Sequence, residues 1–350
     1  MLFYLYNLAT DKYRGKLAGL LKIFLYLACL IYGLIVRLLI FIYRLKPHRL
    51  NCKVISVGNI TLGGTGKTSL VAFIAKYLKG QGHKVAILSR GYKRKVTSYD
   101  SIGDEPYMLK MNLRDVAVIV DADRVRGAKH AIGDYGVDTV ILDDGFQQWK
   151  IKKDLEIVTV DCTNPFGNGY LIPRGILREP LSSLKRADTF VLTKTNLNPD
   201  VQDIKDFLNR LNPYALIIES IHYPLGFFKV DEEQELLKID VLKGSTVTLM
   251  SGIADPDSFE NLMVTLGINI GLVFRFPDHY AYAQKDLENI IEESRKKHID
   301  TIVTTEKDAA RLYELRVTSY ELRVLFLRIE LKITRDEQEF YNRLLSLYSH

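Results

Sequence analysis

Cysteine is scarce in this chain: three in 350 residues, at Cys29, Cys52 and Cys162. Such wide spacing makes neither a disulfide framework nor a zinc site, and it suits a reducing compartment. Internal repeats and low-complexity tracts are missing as well. Acidic residues are almost missing from the first 53 positions, which hold nine Lys/Arg and the single acid Asp11, a net +8; the remaining positions hold 39 basic and 41 acidic residues, a net −2. The overall charge of +6 therefore belongs to the N-terminus, and no nucleic-acid groove is expected in the body. With 47% hydrophobic and 26% charged residues, there is material for two domains with cores of their own.

The basic N-terminus is also the most apolar part. Fourteen residues from Ile23 to Val36 run without a charge, and after Arg37 the run continues to Tyr43. Fourteen residues make about 21 Å of helix, short of a hydrocarbon core of roughly 30 Å. At helical spacing Lys22, Tyr26, Cys29, Gly33, Arg37 and Arg44 share one narrow face. A wide apolar face with a thin basic stripe predicts a helix in contact with a membrane surface. The flanking charges, Lys12, Arg14 and Lys16 before and Arg44, Lys46 and Arg49 after, are too balanced to set an orientation. Nothing near Cys52 resembles a signal-peptidase site, so a retained helix is expected rather than a cleaved leader.

The most informative stretch follows. The run Val54–Val57 leads through Gly58-Asn59-Ile60 into Thr61-Leu62-Gly63-Gly64-Thr65-Gly66-Lys67-Thr68, and a helical pattern opens at Ser69. Strand, glycine-rich loop, helix is the order a phosphate-binding loop requires. Its backbone N–H groups would surround phosphate oxygens, Lys67 would reach the β- and γ-phosphates, and the Thr68 hydroxyl would hold Mg²⁺. The strict pattern has Gly where Thr61 stands. A nucleoside triphosphate is the expected ligand.

Beyond the loop, apolar strands alternate with helical stretches. Strands are predicted at 54–57, 85–89, 116–120, 139–142, 156–160, 189–193 and 215–220, mostly continuous Val/Ile/Leu runs of the kind found in covered parallel sheets. A second alternation places strands at 247–250, 270–276, 301–305 and 324–329. The expected class is α/β: a P-loop NTPase-like parallel-sheet domain (46–222) after an N-terminal apolar membrane helix (1–45). A linker (223–240), a smaller α/β domain (241–333) and a C-terminal helix (334–350) complete it.

Other chemistry clusters at predicted strand ends. Asp143-Asp144-Gly145-Phe146-Gln147 ends a strand where a P-loop enzyme places its second Mg²⁺ contact, at the edge where open α/β sheets bind ligands. Arg90 and Tyr92, also at a strand end, should face the same crevice. Asp104, in Gly-Asp-Glu-Pro, either caps a helix begun by Pro106 or accepts a proton from a substrate hydroxyl. Arg124 and Arg126 offer cations for phosphate. His279 lies far along the chain, in Phe-Pro-Asp-His-Tyr.

Taken in order, GNITLGGTGKT (58–68), SRGY (89–92), GDEP (103–106), DRVRGA (123–128), DDGFQ (143–147), NGYLIPRGILREP (168–180), LTKTN (192–196), FPDHY (276–280) and VTTEKDA (303–309) resemble the tetraacyldisaccharide 4′-kinase family of lipid A biosynthesis. The Thr61 departure is that family's own form of the loop. The resemblance implies transfer of the γ-phosphate of ATP, with Mg²⁺, to the 4′-hydroxyl of an acylated glucosamine disaccharide 1-phosphate. It implies Thr61 to Thr68 around the triphosphate, Asp143 and Asp144 with Thr68 at the metal, and Gln147 supporting them. It further implies Asp104 as general base assisted by His279 from the other domain, Arg124 and Arg178 orienting phosphates, and Glu179 on the nucleotide side. A base and its histidine on different domains imply a cleft that closes before chemistry. The implied location is the inner (cytoplasmic) membrane with the body on the cytoplasmic side. Gln148 stands where the family usually has His, and a neutral amide cannot become a cation. Two alternatives remain at this level. One is a membrane-bound nucleotide switch, although LTKTN carries Asn196 where the base-reading motif of GTPases has Asp. The other is a P-loop kinase or ligase for a soluble metabolite, which would not need the apolar helix.

Overall fold

Thirty residues without a proline wind into one long helix, α1 (Lys16–Leu45). The computed structural model describes residues 8, 11, 13, 15–91, 103–198, 200–229, 235–312, 315 and 322–349; Tyr92, Lys12 and Arg14 lie outside them. After α1 come β1 (Lys53–Gly58), α2 (Lys67–Gly80), β2 (Val85–Ser89), α3 (Asp104–Asn112), β3 (Ala117–Val120), α4 (Arg124–Tyr135), β4 (Thr139–Asp143) and β5 (Leu155–Asp161). Next are β6 (Thr189–Thr193), α5 (Val201–Leu211), β7 (Leu216–Phe228), β8 (Thr246–Ser251), α6 (Pro256–Thr265) and β9 (Asn269–Arg275). The chain closes with α7 (Gln284–Lys296), β10 (Thr301–Thr305), α8 (Glu306–Leu312), β11 (Arg323–Arg335) and α9 (Glu337–Leu345). These residues form two compact units, one of Met1–Arg90, Asp121–Ile221 and Lys332–His350, the other of Gly91–Val120 and His222–Leu331.

In the first unit parallel strands lie in the order β2-β4-β1-β5-β6-β7. Their Val/Ile/Leu runs are buried because helices cover both faces. In this register Val57 sits beside Asp143, and Gly58 beside Val158. The last residues of β1 and β4 therefore reach one edge together and deliver two loops to the same place. Gly58 has to be small, since a Cβ there would lie 2.4 Å from the Phe146 backbone nitrogen. The C-terminal helix α9 returns to this unit: Tyr341 stacks on Tyr77 of α2 at 4.1 Å between centroids, and Phe340 is fully buried.

Helix α1 packs on the first unit through a face that overlaps only in part with the narrow stripe identified in the sequence. Cys29 and Gly33 are buried, and Cys29 joins the core cluster of Phe146, Val160, Leu171 and Leu177. Tyr26 meets Tyr170 edge-on, and Tyr43 stacks on Trp149. Lys22 pairs with Asp11 at 2.7 Å. Only the middle of the stripe, Cys29 and Gly33, turns into the protein, while Tyr26, Arg37 and Arg44 stay exposed with the broad face carrying Leu20, Phe24, Leu27, Ile31, Leu34, Leu38 and Phe41.

The second unit orders its strands β11-β10-β8-β9, again parallel. Two clusters form its core, one around Met250, Ile290 and Phe326, the other around Phe227, Leu249 and Met263. Two boundaries differ from the sequence expectation. Residues 103–120, expected with the P-loop domain, group with the second unit. The expected linker is partly strand: β7 runs on to Phe228, and Phe227 and Leu237 exchange backbone hydrogen bonds of 3.0 and 2.7 Å. The alternating FF pair buries itself there and extends the strand.

Because Gly58 is pressed against the loop after β4, Gly58→Ala should cost about 1–3 kcal/mol through overpacking. Urea denaturation should show a lowered midpoint at unchanged slope, whereas Gly64→Ala, where nothing lies within 4 Å, should leave the midpoint nearly unmoved.

Candidate functional site

The glycine-rich loop leaves β1 and enters α2 in two parts. Its first part is extended: Thr61 bridges Leu177, Leu62 N donates to Ile176 O at 2.8 Å, and Arg178 N donates to Ile60 O at 2.7 Å. Strand-like pairing needs no left-handed residue, which explains why threonine can stand where the strict motif has glycine. The second part turns sharply, with Gly63 at φ 113° and Gly66 at φ 77°, conformations that favour glycine. Open space surrounds Gly63 and Gly64. Thr65 is buried, its hydroxyl 2.7 Å from that of Thr159 and its carbonyl accepting from Thr193 Oγ1. Lys67 and Thr68 begin α2, where backbone N–H groups and the helix dipole favour anions.

Lys67 Nζ lies 3.2 Å from Asn59 Oδ1 and 3.6 Å from Asp144 Oδ1. Asp144, left-handed at φ 55°, also receives Arg178 NH1 at 2.9 Å on each oxygen. Burial raises its carboxyl pKa, but Lys67 and Arg178 outweigh it and hold the group below the usual range. Asp143, beside it, ends β4 buried. Gln147 bridges the loops, its Nε2 donating to Asn59 O and to Glu179 Oε1, both at 3.1 Å. Glu179 is completely buried. It accepts from Arg186 at 2.9 Å and from the Trp149 indole at 3.1 Å. It therefore braces these loops from behind rather than facing a nucleotide as expected. The backbone of Gln148 closes the turn by donating to Gly145 O.

Arg124 is 2% exposed. One guanidinium nitrogen donates to Asp121 O, and its Nε has no hydrogen-bond partner. Burial pulls its pKa down against the attraction of Asp143 and Asp144. Arg126, by contrast, is exposed and paired with Asp121 at 2.7 Å. Arg90 is exposed at the end of β2.

A separate cluster forms in the second unit. Gly103 caps α3, so Asp104 is the first helical residue and its side chain is not the cap. Its Oδ2 lies 2.9 Å from His279 Nδ1 and 3.3 Å from Arg311 Nε. Asp104 and His279 thus share one unit, where the sequence expectation had put them on two. His279 is left-handed at φ 59° in the turn after β9, with its backbone N–H on Gly252 O. Arg311, buried, also donates to Gly252 O at 3.0 Å and pairs with Asp308 at 3.0 Å. Asp308, itself fully buried, accepts from Tyr282, Thr305 and the Gly252 N–H. Burial raises the Asp104 pKa, but His279, Arg311 and Lys307 bring it below the ordinary value. The Asp104 hydrogen bond raises His279 above its ordinary 6.5 against burial. Such a pair can take up a proton at the carboxylate and share it with the imidazole.

A family model for tetraacyldisaccharide-1-P 4′-kinase matches residues 21–349. The chain belongs to this family. A tetraacyldisaccharide 4′-kinase from Halothermothrix orenii is 35% identical, with 97% of each chain covered. One from Elusimicrobium minutum is 36% identical over 84% of this chain and 82% of its own. Among solved structures, LpxK from Aquifex aeolicus in complex with ATP is 29% identical, with a TM-score of 0.71, covering 93% of this chain and 99% of that one.

Sequence reasoning did not single out Trp149, Arg186 or Arg311, and it gave Asp308 no role beyond its place in VTTEKDA; these residues hold other motif residues in place. Asp308 and Arg311 could have been noticed as an i,i+3 acid–base pair on a short helix rich in apolar neighbours. The brace around Glu179 joins positions 30 and 32 residues apart and leaves no local signal.

The Asp104–His279 pair fixes the sign of a titration. The stabilised state, carboxylate plus imidazolium, is present below pH 6.5, is lost as pH rises through the raised His279 pKa, and is lost again as pH falls through the lowered Asp104 pKa. Asp104→Asn removes the main cause, so the His279 ring resonances should titrate at lower pH than in wild type. An unmoved titration would contradict the pairing.

Proposed function

We propose that this chain transfers the γ-phosphoryl group of ATP to the 4′-hydroxyl of tetraacyldisaccharide 1-phosphate in lipid A biosynthesis. The observation that carries the reading is the convergence of Lys67, Asp144 and Arg178 at the mouth of a glycine-rich loop opening a helix. Phosphoryl transfer asks a protein mainly for positioning and charge neutralisation. Backbone N–H groups of 63–66 and Lys67 would bind the triphosphate, the expected Leu62 N–H being taken by Ile176 O, with Arg178 and Arg124 orienting it; the unpartnered, buried Nε of Arg124 supports an anion nearby. The open space at Gly63 and Gly64 fits close approach of phosphate. Mg²⁺ would be held by the Thr68 hydroxyl and the carboxylates of Asp143 and Asp144, and it supplies further charge neutralisation on the triphosphate. Asp104 would accept the proton of the 4′-hydroxyl and pass it to His279, which must then be neutral, so turnover should rise as pH passes the raised His279 pKa.

The substrate's acyl chains give the exposed face of α1 a purpose. Thirty helical residues extend about 45 Å. Contacts from Lys22 to Tyr43 bind that length to one body, which supports a helix lying in the plane of the membrane surface rather than crossing it. A body that uses ATP belongs on the cytoplasmic side of the inner membrane. The basic residues at the helix ends, Lys16, Arg44, Lys46 and Arg49, suit anionic headgroups.

Wild type with γ-labelled ATP and tetraacyldisaccharide 1-phosphate in micelles should yield labelled lipid. Asp104→Ala and Lys67→Ala should each lower kcat at least about 10²-fold. ATP hydrolysis without labelled lipid would overturn the reading and favour a nucleotide switch.

A further inference from the structure

The apolar helix and the phosphate-side cluster are joined by two short paths of hydrogen bonds. Along the first, Tyr32 of α1 donates its hydroxyl to the Arg178 carbonyl at 2.9 Å. The Arg178 side chain then holds both Asp144 oxygens. Along the second, Tyr43 of α1 stacks on Trp149 at 6.5 Å between centroids and 24° between planes. The Trp149 indole donates to Glu179 Oε1 at 3.1 Å. The same oxygen accepts from Gln147, whose own Oε1 lies 3.4 Å from Arg178 NH1. Both paths end on Arg178, and Arg178 N is also bonded to the entry of the glycine-rich loop.

We propose that Tyr32 and Trp149 are positioning residues that tie the seat of α1 to the placement of Arg178 and Asp144. Neither side chain touches the phosphate groups under the kinase reading, on which this link rests; each acts through a residue that does. Glu179 is the pivot of the second path because its burial leaves its oxygens only protein donors. Removing the indole N–H leaves a buried carboxylate short of a donor, and Gln147 and Arg186 must shift to compensate. Catalysis by positioning is sensitive to displacements of about 1 Å, so a small tilt of α1 at either tyrosine reaches the reacting groups. The exposed apolar face of α1 would set that tilt when it enters lipid, favouring turnover where the acylated acceptor resides.

Trp149→Phe keeps an aromatic ring against Tyr43 but loses the donor to Glu179. Tyr32→Phe loses only a hydroxyl. Each should lower kcat on vesicle-borne acceptor about tenfold, as loss of a hydrogen bond supporting a ligand does at metal sites. KM for ATP should stay within about twofold and the melting temperature within a few degrees. Trp149 is the only tryptophan, so wild-type emission reports this contact directly and should shift on adding phosphatidylglycerol vesicles. Unchanged kcat in both variants, a loss that follows a collapse in melting temperature in Trp149→Phe while Tyr32→Phe stays normal, or an emission indifferent to vesicles would each overturn the link. Absence of labelled lipid from wild type would instead sink the kinase reading, and the fluorescence arm would still judge the contact.

Discussion

One carboxylate organises the phosphate side of this protein. Asp144 stands between Lys67 and Arg178, and those three residues come from three chain segments distant in sequence. Left alone, two cations at that separation would repel, and the loops carrying them would drift apart. The parallel register of β1 and β4 delivers Lys67 and Asp144 to one edge. The strand-like pairing of 60–62 with 176–178 brings Arg178 to meet them. Gln147, Glu179 and Arg186 then hold the rear of the same loops. Lys67, Arg178 and Arg124 together exceed the two aspartates by one charge, so the site favours a polyanion accompanied by a divalent cation.

The acid–histidine cluster of the second unit is built on a different principle. Asp104 there is kept ionised by surrounding cations rather than by solvent: His279 in hydrogen bond, Arg311 behind it, Lys307 farther off. Arg311 is in turn fixed by Asp308 and the Gly252 carbonyl. A buried cation held on several sides costs desolvation that its partners offset only while all are present. That explains why so many polar residues of VTTEKDA are enclosed.

Local rules accounted for the strands of both units and for the glycine-rich loop, because continuous Val/Ile/Leu runs and a Gly-Lys-Thr entry into a helix are signals of neighbouring residues. The family was legible too, since its motifs keep their order from 58 to 309. What local rules missed depends on long-range contact. Residues 103–120 group with residues more than a hundred positions away. Glu179 read as a nucleotide-side residue because its burial by Trp149 and Arg186 has no sequence mark. The stripe on α1 read as a face for headgroups, whereas tertiary packing buried its middle, Cys29 and Gly33, and left Arg37 and Arg44 exposed. Thr61, an imperfection in the motif, became intelligible only when its bridge to Leu177 was seen.

The central claim is that Asp144 occupies Lys67 and Arg178 until a metal-bearing triphosphate replaces that arrangement. Calorimetric titration of ATP into wild type and Asp144→Asn, with and without Mg²⁺, tests it most directly. The account predicts that metal-free ATP binds the variant more tightly than wild type, because a competing carboxylate is gone, while Mg²⁺ strengthens binding less than it does in wild type. Weaker metal-free binding in Asp144→Asn, with the Mg²⁺ effect intact, would contradict it.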